Sequence, residues 1–175
     1  MRSGIFFDRD GIINELVVEQ GKTRPPWKKN EIKIVEEVVN LVNKLKETYL
    51  VFVISNQPDY ARGHVSKKDL IDINSTILKN FNFDDYQIDL TDDPKFKKPS
   101  PFMIFELSKK HNVNLFDSWV IGDRWSDISA GNKACCKTIL LDKTYSQNPS
   151  KDGSFDEVVP NFKVKKIKDI EKILL

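Results

Sequence analysis

The chain reads as an α/β protein, a doubly wound, Rossmann-like parallel sheet in three α/β/α layers. Three observations carry that expectation. Short apolar runs that stop abruptly in polar turns alternate with amphipathic helical stretches at about the spacing of βαβ units, which close right-handed. Residues 50–54 (L-V-F-V-I) are continuously apolar and largely β-branched, as a central parallel strand buried on both faces requires. The 175 residues, 39% hydrophobic and 31% charged, suit one domain over residues 1–175, with no internal repeat, linker or low-complexity segment.

The first strand is residues 5–7, which run straight into Asp8, Asp10 and Gly11. Residues 12–30 form a long connection in which Pro25 and Pro26 forbid helix and favour an extended or turned path. A loop of that length in a compact domain usually has a function. Residues 31–48 place apolar side chains at 34, 35, 38, 41, 42 and 45, a helical stripe. The second strand, 50–54, ends at Ser55-Asn56-Gln57-Pro58. Ser66-Lys67-Lys68-Asp69 resembles a capping box, with Asp for the usual Glu, opening a helix to residue 80. Residues 86–90 make a short strand and 91–98 a polar loop. Ser100-Pro101 then supplies an N-cap and a first-turn proline for a helix to residue 111. Residues 118–121 are a strand, followed by Gly122-Asp123, a helix over 126–132 and a strand over 138–141. Residues 147–155 are turn-rich, 157–159 add a short edge strand halted by Pro160, and 165–174 form the last helix.

In a parallel sheet every strand's carboxyl end lies on one rim, where ligands bind. Asp8 and Asp10, Ser55 and Asn56, Lys98 at the next helix entrance, and Asp123 and Asp127 should therefore converge. Asp8, Asp10 and Asp123 suit a cation that prefers oxygen, normally Mg²⁺. A hydroxyl, an amide and an ammonium are the donors a phosphate needs. Together these groups point to phosphoryl transfer. A carboxylate approaching a phosphate monoester meets repulsion, which Mg²⁺ between them and Lys98 opposite would remove. Asp8 is then expected to attack phosphorus and form an aspartyl-phosphate. Asp10 would protonate the leaving alkoxide and later activate water. Asp123 would hold the metal, and Asp127 would position Lys98 or a metal-bound water.

The motifs F-F-D-R-D-G, I-S-N-Q, K-K-P-S-P and I-G-D-R-W-S-D-I, in that order over nearly the whole chain, resemble the haloacid dehalogenase (HAD) superfamily of phosphatases. Within it, D-R-D-G-I-I-N, S-N-Q-x-x-x-A-R-G and G-D-R-W-S-D-I-S-A-G followed by a Cys are most similar to the histidinol-phosphatase and D-glycero-D-manno-heptose 1,7-bisphosphate 7-phosphatase group. The resemblance implies Asp8 as nucleophile and Asp10 as acid/base. It implies a metal held by Asp8, the main-chain carbonyl of Asp10, and Asp123. Ser55, Asn56 and Lys98 match phosphate-binding positions, with Gln57 completing the S-N-Q motif. Arg62 and Lys97 match positions that help recognise the rest of the substrate. The expected substrate is a small phosphorylated metabolite of the heptose (bis)phosphate type; histidinol phosphate, a polynucleotide 3′-phosphate, or an idle fold serving as a binding module are the alternatives.

One departure stands out. Relatives usually carry a zinc loop of Cys and His before the K-P motif, whereas residues 89–98 (D-L-T-D-D-P-K-F-K-K) contain neither, so no zinc is expected. The motifs leave no room for a large cap domain, and residues 12–30 are the natural partial cover. A net charge of +2, with the basic residues interleaved among acids, argues against bulk nucleic-acid binding. No apolar run is long enough to span a bilayer and no signal-like segment opens the chain, so a cytoplasmic protein without membrane contact is expected; a monomer is expected, though no feature of the sequence decides association. Cys135 and Cys136 are expected reduced and partly buried. Trp27 either stacks on a substrate or pins its loop, and His64 reads as a surface or capping residue. His111 suits its helix C-terminus, and Trp125 reads as packing at a helix start. Arg9 points away from the two acids, to a local salt bridge or the substrate rim. Lys163, Lys165, Lys166 and Lys168 form a solvated face.

Overall fold

The structure, a computed structural model, describes residues 1–146 and 158–175. Its elements begin with β1 (Gly4–Phe7), β2 (Val17–Glu19), β3 (Lys22–Arg24), α1 (Glu36–Leu45), β4 (Leu50–Asn56), α2 (Pro58–Ala61) and α3 (Lys67–Lys79). The chain continues through β5 (Asp85–Asp89), α4 (Phe102–His111), β6 (Trp119–Gly122), α5 (Trp125–Lys133), β7 (Lys137–Leu141), β8 (Phe162–Val164) and α6 (Ile167–Leu174). Six strands form one sheet in the order β5-β4-β1-β6-β7-β8, every pair parallel. From β1 the chain winds out to β5, then returns to β6 on the other flank. The order therefore reverses between β1 and β6, the place where doubly wound sheets open a binding crevice.

Strand alternation builds the three layers. Ile5, Phe7, Val51, Val53, Ile121 and Ile139 turn to one face, where Leu41 and Leu45 of α1, Ile73 and Ile77 of α3 and Ile170 of α6 meet them. Phe6, Phe52, Ile54 and Val120 turn to the other face, against Met103, Ile104 and Leu107 of α4 and Ala130 of α5. Phe6 and Phe52 stack with ring centroids 5.1 Å apart. Each such fully buried side chain contributes about 1.5–3 kcal/mol, so the strands that carry the polar rim sit in the most strongly held part of the molecule.

Several boundaries differ from the sequence reading, each for a local reason. The helix expected over 31–48 starts only at Glu36. Residues 32–35 stay extended because Glu15 N–H donates to Lys33 O, and Ile13 O accepts from Val35 N–H. The connection 12–30 contains a hairpin, β2–β3, whose turn residues Gln20 and Gly21 have φ of 50° and 76°. Two left-handed residues in succession are what a two-residue hairpin turn needs. Helix α4 starts at Phe102, so Pro101 is the N-cap and Ser100 Oγ accepts from Phe102 N–H at 3.3 Å. Short α2 went unrecognised in the sequence. The turn expected over 147–155 and Glu157 lie outside the described residues. Val158 and Val159 are not strand; the edge strand is β8, three residues further on. Cys136 is buried, with its thiol pushed up to about 12 by burial, whereas Cys135 is exposed.

Candidate active site

The rim at the β1/β6 switch point is built by backbone first. Asp8, one residue beyond β1, donates its N–H to Ile121 O of β6 at 2.8 Å, so the two strand ends are locked side by side. Gly11 (φ +96°) and Gly122 leave the space that the acids fill. A Cβ on Gly11 would stand 1.9 Å from Asp123 Oδ2, and one on Gly122 would stand 2.3 Å from the Asp127 side chain. No side chain larger than hydrogen fits at either place.

Around this crevice four carboxylates are buried: Asp8, Asp10, Asp123 and Asp127. Two cations are buried with them, Arg9 and Lys98. Lys98 Nζ lies 2.6 Å from Asp8 Oδ1 and 2.7 Å from Asp127 Oδ1, and donates to Ile54 O at 3.0 Å. Burial alone would lower this ammonium's pKa, but Asp127 and Asp8 outweigh it and hold Lys98 above the ordinary lysine value. Asp127 Oδ2 meanwhile accepts from Arg124 N–H at 3.0 Å, at the head of α5. Asp8 is driven well above the usual carboxylate range by burial, Lys98 pulling it down and the other three acids pushing it up. Asp123 is pushed up to about 6, by burial first and Asp127 second, against a hydrogen bond from Tyr145 OH at 2.7 Å. Ser146 Oγ donates to the Asp123 carbonyl.

Asp10 is held differently. Arg9 is fully buried and lies on Asp10, with Nη2 2.9 Å from Oδ2, which corrects the expectation that it points away from both acids. Its other arm donates to Asn74. Asn14 Nδ2 donates to Asp10 Oδ1 at 2.9 Å, and Gln57 Nε2 donates to Asp10 Oδ2 at 2.5 Å and to Ser55 Oγ at 2.8 Å. Asp10, Gln57 and Ser55 thus form one chain of bonds. Asn56 turns its amide to the Lys98 backbone, exchanging bonds of 3.0 and 2.9 Å, so its side chain sets the position of Lys98. Arg62 and Lys97 meet on a single carboxylate: Asp92 accepts from Arg62 Nη2 at 2.7 Å and from Lys97 Nζ at 2.6 Å. Sequence reading named both cations and missed the acid between them.

Among the described residues, the side chains able to hold a metal together are those of Asp8, Asp123 and Asp127, which offer oxygens within 4.8 Å of one another. The carboxylate of Asp10 is engaged elsewhere, so the main-chain carbonyl is what that residue has left to offer. The donor set fits a hard cation on two counts. Asp123 Oδ1 is buried with no hydrogen-bond partner among the described residues. Four buried carboxylates against two buried cations also leave a charge of −2, which one divalent ion cancels.

A HAD-hydrolase-like family model matches residues 95–168, the stretch that carries Lys98, Asp123 and Asp127. The D-glycero-β-D-manno-heptose-1,7-bisphosphate 7-phosphatase of Helicobacter pylori J99 is 30% identical over 157 residues, covering 84% of this chain and 85% of that protein. The chain belongs to the HAD-like hydrolases. It is an enzyme of the phosphatase class. The D-glycero-α-D-manno-heptose-1,7-bisphosphate 7-phosphatase of Photorhabdus laumondii is 28% identical over 172 residues, with 89% of this chain and 90% of that protein aligned. In fold, the D,D-heptose 1,7-bisphosphate phosphatase of B. bronchiseptica, solved with magnesium and phosphate, superposes with a TM-score of 0.77 at 19% identity, covering 98% and 97% of the two chains.

Above the acids this HAD-like hydrolase has a cleft of about 400 Å³, walled by Asp8, Asp10 and Lys98 and by residues that sequence reading did not assign to the site, among them Arg24 and Arg124. The β2–β3 hairpin closes one side of it. Arg24 forks onto Glu31 at 2.8 and 3.0 Å and stands 4.2 Å from the Trp27 ring centroid. Trp27 stacks on His64 with centroids 5.1 Å apart and donates Nε1–H to Asp59 at 2.8 Å. With Arg24 and His64 both on its ring, Trp27 pins its loop. Glu31 is lowered to about 2, by Arg24 first and by the backbone N–H groups of Trp27 and Lys28. The signals were in the sequence as Gln20-Gly21 and as Arg24 and Glu31 seven residues apart, but nothing there says that the hairpin folds back on the rim.

Proposed function

We propose that this enzyme is a Mg²⁺-dependent phosphomonoesterase that works through an aspartyl-phosphate on a small phosphorylated sugar, most simply a heptose bisphosphate. The observation that carries the reading is Asp8, the strand-end carboxylate paired with Lys98, with an oxygen within 4.8 Å of oxygens of Asp123 and Asp127. The substrate class follows from relatives that carry that name at 28–30% identity over most of the chain.

Asp8 Oδ attacks phosphorus as the bond to the leaving oxygen breaks, and the phosphoryl group is transferred to the carboxylate. Lys98, charged because two carboxylates hold its proton, offsets the phosphoryl charge and leaves Asp8 a directed oxygen. For Asp10 to give a proton to the departing alkoxide, and then take one from the water that attacks phosphorus and frees Asp8, its carboxyl must first leave Arg9 and Gln57, from which it accepts in this structure. Ser55 already accepts from Gln57, so its hydroxyl proton is available to a phosphoryl oxygen. Arg62 meets the rest of the substrate from the cleft wall, with Lys97 behind it through Asp92. Asp8, Asp123, Asp127 and the Asp10 carbonyl would hold Mg²⁺, which supplies charge neutralisation between nucleophile and phosphate. Zinc has no place in this scheme, since residues 89–98 offer no soft ligand.

The test is a panel of heptose phosphates, histidinol phosphate and 3′-phosphorylated oligonucleotides, assayed with Mg²⁺ and with EDTA. Highest kcat/KM on a heptose bisphosphate, abolished by EDTA and by Asp8→Asn with an unchanged circular dichroism spectrum, is the expected result. Full activity of Asp8→Asn would refute the nucleophile, and preference for either other ester would refute the substrate.

A further inference from the structure

The four buried carboxylates of the rim are not held alike. Asp8 and Asp127 share the Lys98 ammonium, and Asp10 lies on Arg9. Asp123 has no ion-pair partner among the described residues; its carboxylate accepts from a neutral group, the Tyr145 hydroxyl, at 2.7 Å. Tyr145 reaches it from a turn beyond β7 that is closed twice. Ser146 N–H donates to Lys143 O at 2.9 Å, and Lys143 N–H donates to Ser146 Oγ at 3.0 Å. Ser146 Oγ in turn donates to the Asp123 carbonyl, so the turn holds Asp123 by backbone and side chain together. Gly11 leaves room for this contact. A Cβ there would stand 1.9 Å from Asp123 Oδ2 and 2.9 Å from the Tyr145 hydroxyl. Phosphoryl transfer itself makes no use of Tyr145.

We propose that Tyr145 is a positioning residue for the metal: its hydroxyl occupies Asp123 Oδ2 and so reserves Oδ1 for the cation. This rests on the Mg²⁺ reading above and deepens it. Asp123 Oδ1 is buried and has no partner among the described residues, so the two oxygens of one carboxylate already have different tasks. A partner that orients a ligand in this way governs its metal affinity as well. A phenol suits the task because it is neutral at ordinary pH and donates one hydrogen bond. It fixes the carboxylate without cancelling the charge that draws the cation in. A lysine or arginine there would cancel it, as Lys98 does in part for Asp8 and Asp127. Mg²⁺ gains more than Ca²⁺ from an oxygen held in place, since it tolerates little departure from octahedral geometry whereas Ca²⁺ accepts irregular sites. Tyr145 thereby helps decide which divalent ion the site prefers.

The experiment is calorimetric titration of Mg²⁺, and separately of Ca²⁺, into the metal-free full chain, wild type and Tyr145→Phe, with no substrate present. Phenylalanine keeps the ring and removes only the donor, so the circular dichroism spectrum should be unchanged. The Kd for Mg²⁺ should rise roughly 10- to 100-fold, the range typical of losing a ligand's outer partner. The Kd for Ca²⁺ should rise less, so the preference between the two ions shifts toward Ca²⁺. The Mg²⁺ concentration giving half-maximal turnover of p-nitrophenyl phosphate should rise by the same factor as the Mg²⁺ Kd. In the wild type, a ring resonance of Tyr145 should shift over the same Mg²⁺ range, a readout that needs no variant. An unchanged Mg²⁺ constant, a loss at least as large for Ca²⁺, or a Tyr145 resonance blind to Mg²⁺ would overturn the role of Tyr145 while leaving the metal site intact. A wild type that binds no Mg²⁺ would overturn the underlying reading instead.

Discussion

Asp123→Asn should make the metal-free protein more stable and inactive at once. Asp123 is fully buried, one of its oxygens has no partner among the described residues, and its carboxyl is raised from 3.8 to about 6. A group whose folded value is raised holds its proton longer in the folded state, so stability falls as pH rises from about 4 to about 6 and stays low above that. The gap corresponds to about 3 kcal/mol at pH 7 to 8. The asparagine keeps an oxygen for the Tyr145 hydroxyl and removes the charge. For a chain of this size that gain is roughly 6–12 °C in Tm. The assay is thermal unfolding in EDTA at pH 4 and at pH 8, repeated with Mg²⁺. The variant should lead the wild type at pH 8, match it at pH 4, and fall behind when Mg²⁺ is added to about 1,000 times its Kd, because that ligand stabilises only the protein that binds it, by about 4.1 kcal/mol. No advantage at pH 8, or one just as large at pH 4, would refute the claim that buried charge is what the site is strained by.

Gly11→Ala puts a methyl 1.9 Å from Asp123 Oδ2 at a φ of +96°, so it should lose about 2–4 kcal/mol by denaturant unfolding and respond weakly to Mg²⁺ in an activity titration. Glu31→Gln should remove about 1–2 kcal/mol near neutral pH, a figure reduced for partial exposure, and raise KM more than it lowers kcat as the hairpin loosens. Because Glu31 is lowered from 4.5 to about 2, the wild-type advantage should be present above pH 4.5 and disappear as pH falls through 2. Elemental analysis of purified protein should find no stoichiometric zinc, since residues 89–98 hold neither Cys nor His.

What the sequence made legible was the rim. A strand's end is announced by an apolar run meeting a polar turn, and a parallel sheet brings all such ends together whatever the details. Asp8, Ser55, Lys98 and Asp123 could therefore be placed near one another from residue order alone. Side-chain direction at those ends was not legible, because the regular two-residue alternation stops with the strand. Arg9 shows this: counted as strand it faces away from Asp10, yet beyond Phe7 the chain turns and its guanidinium lies on that very acid. Asp92 and the β2–β3 hairpin were missed for a related reason. Their roles depend on contacts across 30 residues to Arg62 and across 32 from Trp27 to Asp59, and no local pattern encodes such distances.

The placement of Asp127 ties the head of α5 to the reacting group. One of its oxygens is 2.7 Å from Lys98 and the other accepts from the Arg124 backbone, while its side chain occupies the space that Gly122 leaves empty. Any shift of α5 that re-aims Arg124 therefore moves the group that holds Lys98 against Asp8. A loop on the surface could change its substrate contacts without touching the chemistry. Here the head of α5 is tied through Asp127 to the ammonium that faces Asp8, so a change that moves this helix must re-form the Lys98 pair as well.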